Sequence, residues 1–238
     1  MDLKETNILD ENIGNHWYYK SKSNAMIRLL SKTSPSVILD IGAGSGFFSK
    51  ILLSSTAAKE AYCIDISYEN NSDATESEKP VYFRRSIDNI NADLILFMDV
   101  LEHVDDDVGL LKEYVNKVSQ GANFLISVPA FQFLWSGHDV FLEHKRRYRL
   151  NQIEDVVQKA GLRVKYGAYY FGAVFPIVVV IRMVSNMLQR GCYKAQSQLT
   201  QHHPFVNWAL AVMSSAEMPF FLHNRAAGLT VFVLAEKI

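Results

Sequence analysis

The segment Val37-Ile38-Leu39-Asp40-Ile41-Gly42-Ala43-Gly44-Ser45-Gly46 constrains the fold more than any other. An apolar, β-branched run of strand length leads into glycines at alternate positions, which is how a buried parallel strand ends and turns into a helix. Glycine reaches positive φ at little cost and lets a ligand lie against the backbone. Amide N–H groups at the start of the following helix would face the anionic end of such a ligand. The alternative is a glycine-rich turn that binds nothing. Asp40, just ahead of the glycines, favours the binding reading.

Strand and helix patterns alternate along the rest of the chain. Phe47 to Ser54 reads as a helix and Ala61 to Asp65 as a second strand. A carboxylate at the tip of that strand can accept both hydroxyl protons of a ribose, although a solvated strand-end acid is the plainer alternative. Ser67 to Pro80 is polar and reads as an exposed loop, followed by a weak strand over Val81 to Ser86. Ala92 to Asp99 is an apolar strand ending in an acid. Asp105-Asp106-Asp107 is a helix start with anions at the positive end of the dipole, and the helix should run to Gly121. Asn123 to Val128 is a fifth strand, stopped by Pro129. A helix over Leu150 to Ala160, a strand over Arg163 to Tyr170 and a last strand over Gly228 to Ala235 complete the pattern. This alternation specifies an α/β fold with a doubly wound, mostly parallel sheet.

The glycine spacing separates two cofactor classes. A dinucleotide fingerprint is G-x-G-x-x-G, whereas here the glycines fall at 42, 44 and 46, and position 47 is Phe47. The segment resembles the D-x-G-x-G-x-G loop of class I S-adenosylmethionine (SAM) methyltransferases. That resemblance implies a Rossmann-like, seven-stranded sheet whose last strand is antiparallel, with a helical insertion before it. It also implies SAM as cofactor and S-adenosylhomocysteine (SAH) as product. The matching cofactor positions are Asp40, Gly42, Ala43, Gly44, Gly46, Asp65, Ile66, Ser86, Ile87, Met98, Asp99 and Val100.

Asp99-Val100-Leu101-Glu102-His103-Val104 is similar to motif II of the ubiquinone-type O-methyltransferases, in which the strand end contacts the cofactor and the histidine, here His103, sits near the reacting methyl. Plain capping is the alternative reading of this Glu-His pair. The stretch from Pro129 through Trp135, His138, Asp139 and His144 to Arg146-Arg147-Tyr148 resembles the V-P-A…L-W-S-x-H-D…H-x-R-R-Y pattern of a bacterial methyltransferase subgroup associated with polyprenyl-linked glycan or lipid pathways. Lying beyond the carboxyl ends of the strands, it should roof the site. His138 is a candidate base for an acceptor hydroxyl, since imidazole titrates near neutral pH, with Asp139 orienting it or bonding backbone. Trp135, Asp139, His144, Arg146, Arg147 and Tyr148 are candidate acceptor contacts, the basic residues as a clamp for phosphate or carboxylate. A solvated basic turn is the alternative. No metal is expected: Glu102 and His103 are adjacent and lack the H-E-x-x-H spacing.

Ahead of the glycine loop, His16-Trp17-Tyr18-Tyr19 leads into a helical pattern from Ser23 to Leu30. The aromatics read as core or as a lid; similar methyltransferases carry an H-W-W-F-like segment followed by an arginine, about where this chain has Lys22. Residues 1–34 are thus an N-terminal arm and lid helix, and 172–222 an apolar helical insertion, within a single domain over 1–238.

At 49% hydrophobic over 238 residues the chain can bury one substantial core. A net charge of −1 provides no field for nucleic acid. Cys63 and Cys192 are too far apart in sequence for a zinc knuckle or a disulfide framework, and the N-terminus is too polar for a secretory signal. A cytoplasmic protein, free or peripheral to the inner face of the membrane, fits. Phe171 to Ile181, the longest uncharged apolar run, has 11 residues, against roughly 20 for a bilayer span. The inserted helices, Pro176 to Leu188 and Pro204 to Glu217, are apolar on most sides and need cover: first from the domain itself, then from a homodimer partner, then from a membrane surface or lipid substrate. The expected activity is methyl transfer to oxygen of a small-molecule, lipid or glycan-pathway acceptor. A non-catalytic SAM-binding protein and a nicotinamide-dependent oxidoreductase are the rival readings.

Overall fold

Eight strands form one sheet in the computed structural model, which describes residues 10–189, 195–197 and 203–238. They are β1 (Val37–Ile41), β2 (Glu60–Ile64), β3 (Ser72–Glu76), β4 (Lys79–Arg84), β5 (Leu94–Met98), β6 (Asn123–Pro129), β7 (Leu162–Tyr170) and β8 (Thr230–Lys237). The helices are α1 (Trp17–Leu29), α2 (Phe47–Ser55), α3 (Asp107–Lys117), α4 (Gly137–Phe141), α5 (Leu150–Lys159), α6 (Phe175–Gln189) and α7 (Pro204–Glu217). Across the sheet the order is β3-β4-β2-β1-β5-β6-β8-β7. The strands β4, β2, β1, β5 and β6 are mutually parallel, while β8 lies antiparallel between β6 and β7.

The central strands are apolar because both of their faces are covered. Every residue of β5 is buried. On one face Met26 and Leu29 of α1 and Phe48 and Leu52 of α2 pack on Ile38, Leu94 and Leu96. On the other, Leu111 and Val115 of α3 and Ile153 and Val157 of α5 pack on Leu39, Ile95 and Phe97. Each such side chain contributes about 1.5–3 kcal/mol by leaving water.

The strand order reverses direction between β1 and β5, and ligands of open α/β sheets bind beyond the carboxyl ends of the strands at that switch. The chain therefore delivers Gly42, Asp65, Asp99 and Ala130 to one rim, each immediately after a parallel strand.

Four expectations are corrected. The polar stretch 67–80 is not all loop: Ser72–Glu76 is an edge strand paired antiparallel with β4, so the sheet has eight strands rather than seven. An edge strand with both faces in water has no apolar alternation to betray it, and its turn is made by Ser77 and Glu78 at φ 51° and 64°. The aromatics do not precede α1 but form its first turn, with Trp17 and Tyr19 buried in the core. Helix α3 ends at Lys117, not Gly121, because Val118 is already extended; Gly121 instead occupies a turn at φ 81°.

The fourth concerns the inserted helices, which among the described residues the domain covers only in part. Only one stripe of α7 packs inward, through Leu210, Ala211, Met213 and the buried Ser214. Phe205, Val206, Trp208 and Val212 are exposed, as are Val180, Ile181, Met183, Val184 and Met187 of α6. A helix that is apolar all round can bury only one side on a single core. Among the described residues no helix is long and apolar enough to cross a membrane. Gly191 and Cys192 lie outside the described residues.

Candidate active site

Three strand ends are stitched together by the glycine loop. Gly42, Gly44 and Gly46 take φ values of 64°, 55° and 70°, the left-handed region that glycine enters cheaply. The amides of Gly42 and Ala43 donate to the Ile64 carbonyl at 2.8 and 3.2 Å, tying the loop to the end of β2. A Cβ on Gly42 would stand 2.8 Å from Cγ2 of Val100, beyond the end of β5. One on Gly46 would meet the Cys63 sulfur and the Phe83 ring at 3.1 Å.

Asp65 follows β2 and leans over this loop. Its carboxylate accepts from the Gly44 amide at 3.0 Å and from the Ser67 amide at 2.9 Å, while the Tyr68 hydroxyl donates to the Gly44 carbonyl at 2.6 Å. Ile66, next to it, is 83% exposed, a large apolar side chain held out beside an acid. Ser86 is exposed, and Ile87 is half-buried against the second core cluster. Ala43 and Met98 are buried, so either could offer a ligand little beyond its backbone.

Asp40 lies at the end of β1, next to the loop. Its buried carboxylate accepts from the Ser49 hydroxyl of α2 at 2.7 Å, and burial pushes its pKa up to about 6. This bond ties β1 to α2. A folded-state pKa raised above the unfolded value adds stability below about pH 4 that is lost as pH rises through 6. Removing this titration with Asp40→Asn should therefore raise stability relative to the parent by roughly 2 kcal/mol between pH 4 and pH 7.5, read from urea melts at both pH values.

Asp99 follows β5 with φ 57°, unusual for a residue with a side chain. It receives the Lys22 ammonium of α1 on one oxygen and the Ser127 hydroxyl of β6, at 3.1 Å, on the other. Lys22 is wholly buried and Asp99 is 25% exposed. Burial works against both charges, but each holds the other ionised: Asp99 stays below the usual carboxylate range and Lys22 above the usual amine range. The aromatics Tyr18 and Phe48 add cation–π contacts to Lys22 at 5.4 and 5.8 Å. Lys22 thus locks the helix expected as a lid onto the carboxyl end of β5.

A second cluster lies beside it. Backbone bonds lace the segment 130–149 to the rim: the Phe131 amide donates to the Tyr148 carbonyl at 2.9 Å, the Tyr148 amide to the Pro129 carbonyl at 3.0 Å, and the Lys145 amide to the Glu102 carbonyl at 2.7 Å. This brings His144 to His103, with ring centroids 4.8 Å apart. The buried Asp139 is bound by His144 Nδ1 at 3.0 Å and by Arg147 Nε and Nη2 at 2.6 and 3.0 Å, and it caps α4 by accepting from the Ser136 amide at 2.9 Å. Burial would raise its pKa, but His144 and Arg147 outweigh that and hold it below the carboxylate range. Glu102 is buried, neither carboxylate oxygen has a hydrogen-bond partner among the described residues, and burial next to Asp99 lifts its pKa well above the usual value.

Of the two roles the sequence left open for Asp139, it bonds backbone, at Ser136 N, and it also pairs with His144 and Arg147. In the basic turn Lys145 pairs with Asp105, Arg146 with Asp107 and Arg147 with Asp139, while Lys145 and Arg149 are exposed. Tyr148 is buried, its hydroxyl committed to Asp107 at 2.8 Å and Leu101 O at 3.1 Å. Trp135 and His138 remain half-buried on the segment, and a cleft of about 620 Å³ runs along Gln132, Phe133 and Arg146 to Arg149. Sequence reading missed Glu102 as a buried acid and Ser67 and Tyr68 as the brace of Asp65. An acid at a strand tip followed two residues later by serine is the Asx-turn signal that marks such a brace.

The sheet order and the strand-end glycine loop are those of a nucleoside-binding α/β fold, and the family match makes the chain a class I SAM-dependent methyltransferase. The chain belongs to the methyltransferase domain family, whose model matches residues 15–166. Solved structures share the fold at low identity. A chain from the complex between the Haloferax volcanii Trm112 methyltransferase activator and a methyltransferase aligns at TM-score 0.57 and 14% identity, covering 99% of this chain and 94% of that one. A SAM-dependent methyltransferase from Archaeoglobus fulgidus aligns at 0.52 and 14%, covering 99% and 98%. The [4+2]-cyclase SpnF aligns at 0.56 and 12%, covering 92% and 81%. No curated protein sequence matches significantly.

Proposed function

We propose that this chain methylates a hydroxyl oxygen of a small-molecule, lipid-linked or glycan-linked acceptor, using SAM and leaving SAH. The observation that carries the reading is the convergence of the glycine loop, Asp65 and Asp99 on one rim, roofed by a segment bearing His138 and His144. Bound SAM supplies a methyl carbon on a sulfonium centre, so the acceptor needs only alignment and the loss of one proton.

The chain's own residues provide the rest. Gly42, Gly44 and Gly46 allow close backbone approach, Asp65 would accept the ribose hydroxyls, and the exposed Ile66 would offer the base an apolar contact. Ser86 and Ile87 flank the base, and Asp99 and Val100 wall the β5 side. His138 or His103 takes the hydroxyl proton, while Trp135 and His144 face the acceptor. Arg146 and Arg147 reach an acceptor anion only by sharing their present carboxylates. The uncovered faces of α6 and α7 are where a lipid-linked acceptor, a membrane surface or a second copy docks; vesicle sedimentation and solution mass tell these apart.

The test begins with calorimetry against SAH and then follows label from methyl-labelled SAM into lipid, glycan and small-molecule fractions of a lysate. Label should enter one fraction. His138→Ala or His103→Ala should then lower kcat by about 10²–10⁴, with SAH affinity kept. SAH binding with no label in any fraction returns the protein to a non-catalytic binder. Displacement of SAH by NAD(H) would favour an oxidoreductase.

A further inference from the structure

We infer that Glu102, His103 and His144 form a binding site for a first-row divalent cation of the zinc, cobalt or manganese type. One ligand atom from each side chain lies within 4.8 Å of the others. Two imidazoles and a carboxylate are the donor set that such ions take, at bond lengths of about 2.0–2.2 Å. Small side-chain rotations bring the three atoms onto one ion.

Two independent features point to a ligand. First, Glu102 is 0% exposed and, among the described residues, both its oxygens lack a hydrogen-bond partner. A buried carboxylate left so is costly, and a cation in contact with it removes the cost. Second, the chain orients His144 for metal. Asp139, gripped by Arg147 Nε and Nη2 at 2.6 and 3.0 Å, stands 3.0 Å from His144 Nδ1 and fixes the ring. A carboxylate held against one ring nitrogen is the arrangement that orients a metal-binding histidine. The bond from Lys145 N to Glu102 O, 2.7 Å, pins the His144 loop to the turn that carries the other two ligands.

Three protein ligands leave at least one coordination position for an oxygen from outside. The site lies on the rim where β5 ends, so its use follows from the methyltransferase reading: an acceptor oxygen bound to the ion becomes more acidic and is held in place. The site itself does not depend on that reading.

The test uses the full chain, stripped with chelator and titrated with Co²⁺, in parallel with calorimetry against SAH. One equivalent of Co²⁺ should give ligand-field absorption in the visible, displaced by Zn²⁺. His103→Ala, His144→Ala and the isosteric Glu102→Gln should each weaken Co²⁺ binding at least tenfold, while His223→Ala, on the turn before β8, leaves it unchanged. Circular dichroism reports whether each variant folds, and the two histidine variants decide if Glu102→Gln does not. A folded parent without such a spectrum overturns the proposal, as does a spectrum unaltered in both histidine variants. SAH binding without cobalt binding rejects the metal site alone; cobalt binding without SAH binding rejects the cofactor reading alone.

Discussion

Gly42→Val should weaken SAH binding at least about 100-fold, or about 2.7 kcal/mol. Two costs combine at this position. Its φ of 64° is one that a β-branched residue enters only under strain, at about 1–3 kcal/mol. Its Cβ would also stand 2.8 Å from Val100 Cγ2. Relief requires the loop to lift or the turn after β5 to retreat, and that turn begins with Asp99, fastened to Lys22 and Ser127. Either movement spoils the face on which the cofactor lies. Gly121→Ala is the matching control, because that residue has φ 81° with nothing within 4 Å of an added Cβ. It should cost about 1 kcal/mol of stability by strain and leave affinity unchanged. Calorimetry with SAH and urea melts measure both; a folded Gly42→Val protein with parental affinity would remove the loop from the site.

The second large effect is on stability. Asp99→Ala leaves the Lys22 ammonium wholly buried without its counter-ion, and breaking a buried pair from one side costs about 3–5 kcal/mol. Since Asp99 is 25% exposed, water screens part of this, and about 3 kcal/mol is expected. Lys22→Met should cost less, because it removes the buried charge itself and keeps the packing against Tyr18 and Phe48. The pH dependence follows from the two shifts. Asp99, lowered, contributes above its unfolded pKa of about 4 and loses that contribution as pH falls through its folded value. Lys22, raised, contributes below about pH 10 and loses it as pH climbs through its folded value. The stability gap between parent and Asp99→Ala should therefore narrow as pH falls below about 4 and narrow again on the alkaline side, where the variant's buried Lys22, pushed down by desolvation without its counter-ion, gives up its proton. A constant gap at pH 3 would show that the pair is not ionised in the fold.

Much of this arrangement was legible in the residues. The glycines at 42, 44 and 46 mark the loop, since backbone conformation restricts that choice to one amino acid. Apolar runs such as Leu94 to Met98 announce central strands because both faces are buried there. Edge strand β3 was hidden for the converse reason: with both faces in water it carries no pattern. Asp40 and Asp65 are both acids beside the same loop, yet one bonds the Ser49 hydroxyl and the other the Gly44 amide. Residue type does not distinguish those two partners.

The sequence by itself determined the class of fold, the strand-end loop and the residues that could do chemistry, because local backbone conformation and hydrophobic periodicity act over a few neighbouring positions. Only the tertiary structure decided the partners. Lys22 meets Asp99 across 77 positions of chain, and Arg146 meets Asp107 across 39. Such pairs form where desolvation makes a lone charge intolerable, and which charges are desolvated together is settled by how the layers pack, not by their spacing along the chain.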